Sequence, residues 1–180
     1  MSSLKNLSTQ KYKIIIAGDI GVGKTTLIRK YLTRKFKGDY LATIGVEVST
    51  KNLLLEQTPI QLQLWDVAGQ TAFQRFRNQF FENALGALLV FDLTSLNSLY
   101  KLHDSWIPSI QAMVGGIPFV LVGNKADLTT EIITKPTDIA KFLAKNRSVI
   151  TYLETSALTG RNVEQAFNDV ALRVYSLRPE

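Results

Sequence analysis

The sequence predicts an α/β fold: a doubly wound, mostly parallel sheet of six strands flanked by helices, with one antiparallel edge strand. Three observations carry that prediction. Short β-branched apolar runs alternate with stretches of helical spacing along the whole chain. The inner runs are apolar without interruption, as strands covered on both faces must be. One pair of alternating strands is joined by a short turn, which makes an antiparallel hairpin. A strand feeding a parallel neighbour needs a crossover helix, so repeated alternation puts helices on both faces of a single sheet.

Taken in order, the first strand is Lys13-Ile-Ile-Ile-Ala17, which stops at Gly18, and the window from there to about Arg34 has helical spacing. Residues 1 to 11 are polar and read as a flexible arm ahead of a single domain spanning 12 to 180. Gly45 to Leu55 and Ile60 to Asp66 alternate polar and apolar residues around Gln57-Thr58-Pro59, the pattern of a hairpin. Ala87-Leu-Leu-Val-Phe91 and Pro118-Phe-Val-Leu-Val122 are unbroken apolar runs and read as inner strands, with Val149-Ile-Thr-Tyr-Leu153 beyond them. Helical windows lie near Ser98 to Val114, Pro136 to Asn146 and Val163 to Leu177, with Pro136 where a helix can begin.

A length of 180 residues fits one core, and 46% hydrophobic against 20% charged residues is the balance of a folded domain, not a disordered chain. The absence of cysteine excludes a disulfide framework, a thiolate zinc site, a cysteine nucleophile and a lipid anchor on this chain; a single His103 leaves no histidine-built metal site. No apolar run approaches the roughly 20 residues that span a bilayer. A cytoplasmic monomer is expected, attached to membranes through partners where it is attached at all. The net charge of +6 would suit a polyanion, but the cations are scattered, and the densest group (Arg29, Lys30, Arg34, Lys35, Lys37) has no aromatic stripe beside it. No nucleic-acid partner is expected; weak contact with anionic membrane through the basic excess is the less favoured alternative to a protein that stays in solution.

The chemistry begins at Gly18-Asp-Ile-Gly-Val-Gly23-Lys24-Thr25, a G-x-x-x-x-G-K-[ST] loop between a predicted strand and a predicted helix. In such a loop the backbone of Gly18, Ile20, Gly21, Val22 and Gly23 and the helix start at Thr26 face phosphate oxygens. Lys24 reaches the β and γ phosphates, and the Thr25 hydroxyl ligates Mg²⁺. The loop admits ATPases, nucleotide kinases and GTPases alike. Val122-Gly-Asn124-Lys125-Ala126-Asp127 narrows the base, because it follows an apolar strand at the end where open α/β sheets bind ligands. Guanine presents N1–H and an N2 amine on one edge, so one carboxylate at Asp127 accepts both hydrogens. Adenine has an acceptor at N1 and would leave that carboxylate unpaired, a discrimination on the order of 10⁴.

With Ala42-Thr43-Ile44-Gly45, Trp65-Asp66-Val67-Ala68-Gly69-Gln70 and Glu154-Thr155-Ser156-Ala157 in the same order and spacing, the chain from about Tyr12 to Leu177 resembles the Ras superfamily of small GTPases, most of all its Rab branch. The resemblance implies that Thr43 ligates Mg²⁺ and touches the γ-phosphate, that Asp66 holds the metal through water, and that the Gly69 N–H bonds the γ-phosphate. It further implies that Phe36 packs on the guanine with the Lys125 stem across its face. The Ala157 N–H would read guanine O6 while Ser156 steadies Asp127. Gln70 would orient the attacking water, with Lys24 and Mg²⁺ stabilising charge on the phosphate oxygens. Segments of roughly 36 to 47 and 67 to 80 would be ordered by the γ-phosphate and released on its loss, and protein effectors and regulators would read them. Trp65 and Phe81, beside those segments, have two open readings: partner surface or core.

Three departures qualify the resemblance. Ile20 stands where Ras-like proteins carry glycine and Rab-like ones a small residue; its bulk would crowd Gln70, the water and an incoming arginine, so slow hydrolysis is expected. The chain stops soon after the last helix with no cysteine pair, and Val48 replaces the usual aromatic. The alternative to a slow GTPase is a GTP-binding scaffold with negligible hydrolysis because of Ile20; a P-loop ATPase or nucleotide kinase is opposed by Asp127.

Overall fold

The structure, a computed structural model, describes residues 9–33, 45–69 and 78–177. Strands β1 (Gln10–Ala17), β2 (Val46–Leu55), β3 (Thr58–Val67), β4 (Gly86–Asp92), β5 (Phe119–Asn124) and β6 (Val149–Glu154) form one six-stranded sheet in the order β2-β3-β1-β4-β5-β6. β2 runs antiparallel to β3 at one edge, and every other neighbour pairs in parallel. The chain leaves β1 toward one edge and later returns to β4 on its other side. That reversal opens a crevice at the carboxyl end of β1, where Gly18 starts the glycine-rich loop.

Two strand limits differ from the sequence reading. β1 starts at Gln10, so Gln10 and Lys11 belong to the sheet and not to the arm: they continue the parallel ladder opposite Ile60 and Gln61. Backbone pairing recruits them, and a polar side-chain pattern cannot show it. In the hairpin, Thr58 and Pro59 are strand residues, and the turn is Glu56-Gln57, both at positive φ (46° and 69°). Left-handed residues at both central positions match the twist of the flanking strands. Pro59 is tolerated because the β1 ladder reaches only to Ile60, so no partner on that side needs its missing N–H.

Helices α1 (Lys24–Thr33) and α5 (Val163–Ser176) cover one face; α2 (Leu96–Lys101), α3 (Ile107–Val114) and α4 (Pro136–Lys145) cover the other. The alternation along β1 decides which side chain goes where. Ile14 and Ile16 join the core cluster that holds Leu27, Tyr31, Phe167 and Val170, whereas Ile15 and Ala17 join the one that holds Leu99, Trp106, Ile110 and Phe142. Each fully buried aliphatic or aromatic side chain contributes about 1.5–3 kcal/mol. All residues of β4 and β5 are buried, as two covered faces require.

The window read as one helix from Ser98 to Val114 is interrupted. α2 and α3 are joined by a π turn at Leu102–Trp106, in which the Ile107 N–H bonds the Leu102 carbonyl five residues back. Pro108 supplies the reason: it has no N–H to return to Asp104, so the ladder slips where the next turn would have closed. The slip keeps Leu102 and Trp106 both buried. Phe81, left open between core and partner surface, is core: it is fully buried with its ring 6.4 Å from that of Trp106. Trp65 is half-buried, with the Lys13 ammonium 3.5 Å above its ring.

Candidate nucleotide site

The loop between β1 and α1 is held by its own lysine. Lys24 is 6% exposed, and its ammonium donates to the carbonyls of Gly18 (2.8 Å) and Asp19 (2.9 Å), curling the loop around a positive centre. The positive end of the α1 dipole points at the same loop, so backbone and side chain both favour an anion there. At Gly23, with φ of 98°, a Cβ would lie 2.3 Å from the Asn124 side-chain nitrogen; only glycine lets β5 approach.

That approach makes Asn124 the joint of the site. Buried at the end of β5, it donates from Nδ2 to the Val22 carbonyl (2.9 Å), and its Oδ1 accepts from the Thr155 hydroxyl (3.1 Å) and the Ala157 N–H (3.3 Å). The end of β5 is thereby tied to the phosphate loop, 102 residues away, and to the loop at Thr155 to Ala157. Asn124 also lines the cavity beside those loops.

The cavity has a volume of about 270 Å³ and runs from Gly21, Gly23 and Thr26 to Lys125, Asp127 and Ala157. Asp127 accepts at Oδ1 from the Ser156 hydroxyl (2.5 Å), which fixes the carboxylate and leaves its other oxygen to a ligand. Lys125, at φ of 68°, lays its ammonium 2.5 Å from Asp92 at the end of β4, so its stem lies across the loop. Asp92 is held in turn by the N–H and hydroxyl of Thr94 (2.8 and 2.7 Å). Leu128 and Leu158 line the cavity as well, an apolar wall suited to an aromatic base. Sequence reasoning missed both leucines and Asp92, because a lone leucine or aspartate after a strand carries no signal without its neighbour.

Thr25 and Asp66 meet at the other end of the loop, hydroxyl to carboxylate at 2.5 Å, with Asp66 2% exposed. Two hard oxygen donors, one charged and buried, fit Mg²⁺, which takes few protein ligands and completes its shell with phosphate and water. Gly69 abuts the glycine-rich loop: a Cβ there would lie 2.4 Å from the Asp19 carbonyl carbon and the Ile20 nitrogen. Ile20 itself is 52% exposed, its side chain standing out of the loop. Phe36, Thr43 and Gln70 lie outside the described residues.

A glycine-rich loop wrapped round a buried lysine, joined through one asparagine to a cavity with a braced carboxylate, defines a P-loop nucleotide-binding protein. Residues 13–176 match the model of the Ras family, and the chain belongs to that family of small GTPases. It is 37% identical over 166 residues to the Ras-related protein Rab-25 of Oryctolagus cuniculus, covering 92% of this chain and 76% of that one. It is 36% identical over the same length to the Ras-related protein RABA4b of Arabidopsis thaliana, covering 92% and 73%. Among the described residues no helix is long and apolar enough to cross a membrane.

Proposed function

We propose that this chain is a guanine-nucleotide switch that binds GTP and GDP with Mg²⁺, hydrolyses GTP slowly, and acts in membrane traffic through effectors and regulators read at the segments around Thr43 and Gln70. The observation that carries the nucleotide reading is the cavity that joins the phosphate loop to Asp127. Similarity to Rab proteins supports the assignment to traffic. Asp127 takes the N1–H and N2 amine of guanine on the oxygen that Ser156 leaves open, with Leu128 and Leu158 against the ring. Lys24 stabilises charge on the β and γ phosphates, and Thr25 and, through water, Asp66 would hold the metal, which would supply Lewis-acid polarisation of those oxygens. Hydrolysis then needs only a positioned water: its oxygen bonds the γ-phosphorus, the bond to the β-phosphate oxygen breaks, and GDP and phosphate leave.

Slow turnover follows from Ile20. The Asp19–Ile20 peptide abuts Gly69, which directly precedes Gln70 in the sequence, and Ile20 adds a branched, exposed side chain to that loop. Phosphate release from purified protein with GTP and Mg²⁺ tests this directly. Parent protein should release phosphate faster than Gln70→Leu, and Ile20→Ser should exceed the parent in a single turnover. Equal rates for parent and Gln70→Leu would make the chain a GTP-binding scaffold, the second reading that the exposed Ile20 favours.

A further inference from the structure

One charged contact reaches the phosphate loop from outside it. Lys101, the last residue of α2, places its ammonium 2.6 Å from Asp19 Oδ2; the Asp19 side chain is 17% exposed and that of Lys101 45%. Asp19 is thus held twice, its carboxylate by Lys101 and its carbonyl by Lys24. The peptide it makes with Ile20 presses on Gly69, where a Cβ would come within 2.4 Å. The near end of α2 is fixed too, since the Ser98 hydroxyl accepts from the Asp92 N–H (3.0 Å) and donates to the Ser95 carbonyl (2.6 Å). Its far end runs into the π turn anchored by buried Leu102 and Trp106. A helix pinned at both ends therefore extends a cation to the residue whose peptide with Ile20 lies against Gly69.

From this we infer that Lys101 is a positioning residue which, through Asp19, sets the preference of the site for a nucleoside triphosphate over the diphosphate. The inference rests on the nucleotide reading given above. In that reading the γ-phosphate sits between the Lys24 ammonium and the Gly69 N–H, beside the Asp19–Ile20 peptide, whereas the β-phosphate is cradled deeper, by Val22 to Thr25. Loss of Lys101 frees that peptide to move against Gly69 and leaves the Asp19 carboxylate uncompensated near the phosphates. Both effects fall on the γ-phosphate more than on the rest of the nucleotide.

The test is the ratio of dissociation constants for a non-hydrolysable GTP analogue and GDP, each carrying a fluorescent label, with Mg²⁺ present. Lys101→Met should shift that ratio against the triphosphate by roughly threefold to tenfold, the scale of a partly exposed ion pair. Lys101→Arg should restore the parent ratio. The double variant Asp19→Asn/Lys101→Met should remain shifted, since it removes the unpaired charge but not the loss of positioning. The melting temperature of the GDP-loaded protein should move by no more than about two degrees in Lys101→Met, because a half-exposed pair contributes little to stability. An unmoved ratio, equal weakening of both nucleotides, or a parent ratio in the double variant would overturn the role of Lys101. A parent protein that binds neither nucleotide would overturn the nucleotide reading itself, and the inference with it.

Discussion

Asp127 owes its usefulness to Ser156. A lone carboxylate on a turn would rotate in water; one oxygen bonded at 2.5 Å to a buried hydroxyl holds Asp127 in the lining of the cavity that Leu128 and Leu158 also line. In the proposed nucleotide reading, selectivity comes from what a wrong base would leave unpaired, a larger effect than what the right base gains. Asp127→Ala should weaken GDP binding and reduce the preference for GTP over ATP by two or more of the roughly four orders of magnitude such a site supplies. Calorimetric titration with GDP, GTP and ATP would measure it, and an unchanged GTP-to-ATP ratio would remove Asp127 from base recognition. Asn124 acts at the same scale in a different way. Its three hydrogen bonds run to Val22, Thr155 and Ala157, so it holds together the loops around the cavity.

At the scale of elements, α1 is clamped at its carboxyl end by the hairpin. Lys51 of β2 donates to the Tyr31 carbonyl (3.1 Å) and sits 3.5 Å above the Tyr31 ring, whose other face stacks on Phe167 of α5 with centroids 4.2 Å apart. An ammonium over a buried ring contributes about 0.5–2 kcal/mol. α5 carries an opposing contribution. Burial raises the pKa of Asp169, against a smaller lowering by its hydrogen bond with Gln165. Unfolded, this carboxyl loses its proton at the ordinary value of 3.8; folded, it keeps the proton to higher pH. The unfolded chain therefore ionises first, stability falls as pH rises through that interval, and the loss is complete above it. Asp169→Asn should melt higher than the parent at pH 7, and the gain should close as the pH is lowered through the same interval. A gain independent of pH would mean that packing, not ionisation, is responsible.

The whole molecule should be limited at alkaline pH by its buried phenols. Burial, reinforced by the charge of Glu164, pushes the Tyr31 hydroxyl from 10.0 up to about 12. Burial beside Glu154 raises Tyr152 in the same direction. Between pH 10 and about 12 the unfolded chain releases these protons and the folded one does not, so stability declines with rising pH across that window. Tyr31→Phe keeps the stack on Phe167 and removes the proton. Its melting temperature should fall less steeply than that of the parent over that window, followed by circular dichroism at several pH values. Identical slopes would place the alkaline limit elsewhere in the molecule.

Much of this protein is legible in its sequence because the deciding signals are local. Apolar runs and helical spacing specify strands and helices by period alone, and the glycine-rich loop and Asn124-Lys125-Ala126-Asp127 announce phosphate and base by chemistry confined to a few adjacent residues. Pro108 was present in the helical window too, but only the helix built around it shows the ladder slipping into a π turn. What tertiary structure alone decided are the contacts between segments distant along the chain. Gln10 and Lys11 join the sheet because β3 offers them a backbone. Phe81 is core because Trp106 lies across from it. Asn124 spends its amide on Val22, 102 residues away, and Lys101 reaches Asp19 over 82. An isolated leucine, aspartate or lysine has no pattern to reveal its partner, because the partner is chosen when the sheet brings the ends of its strands to one crevice.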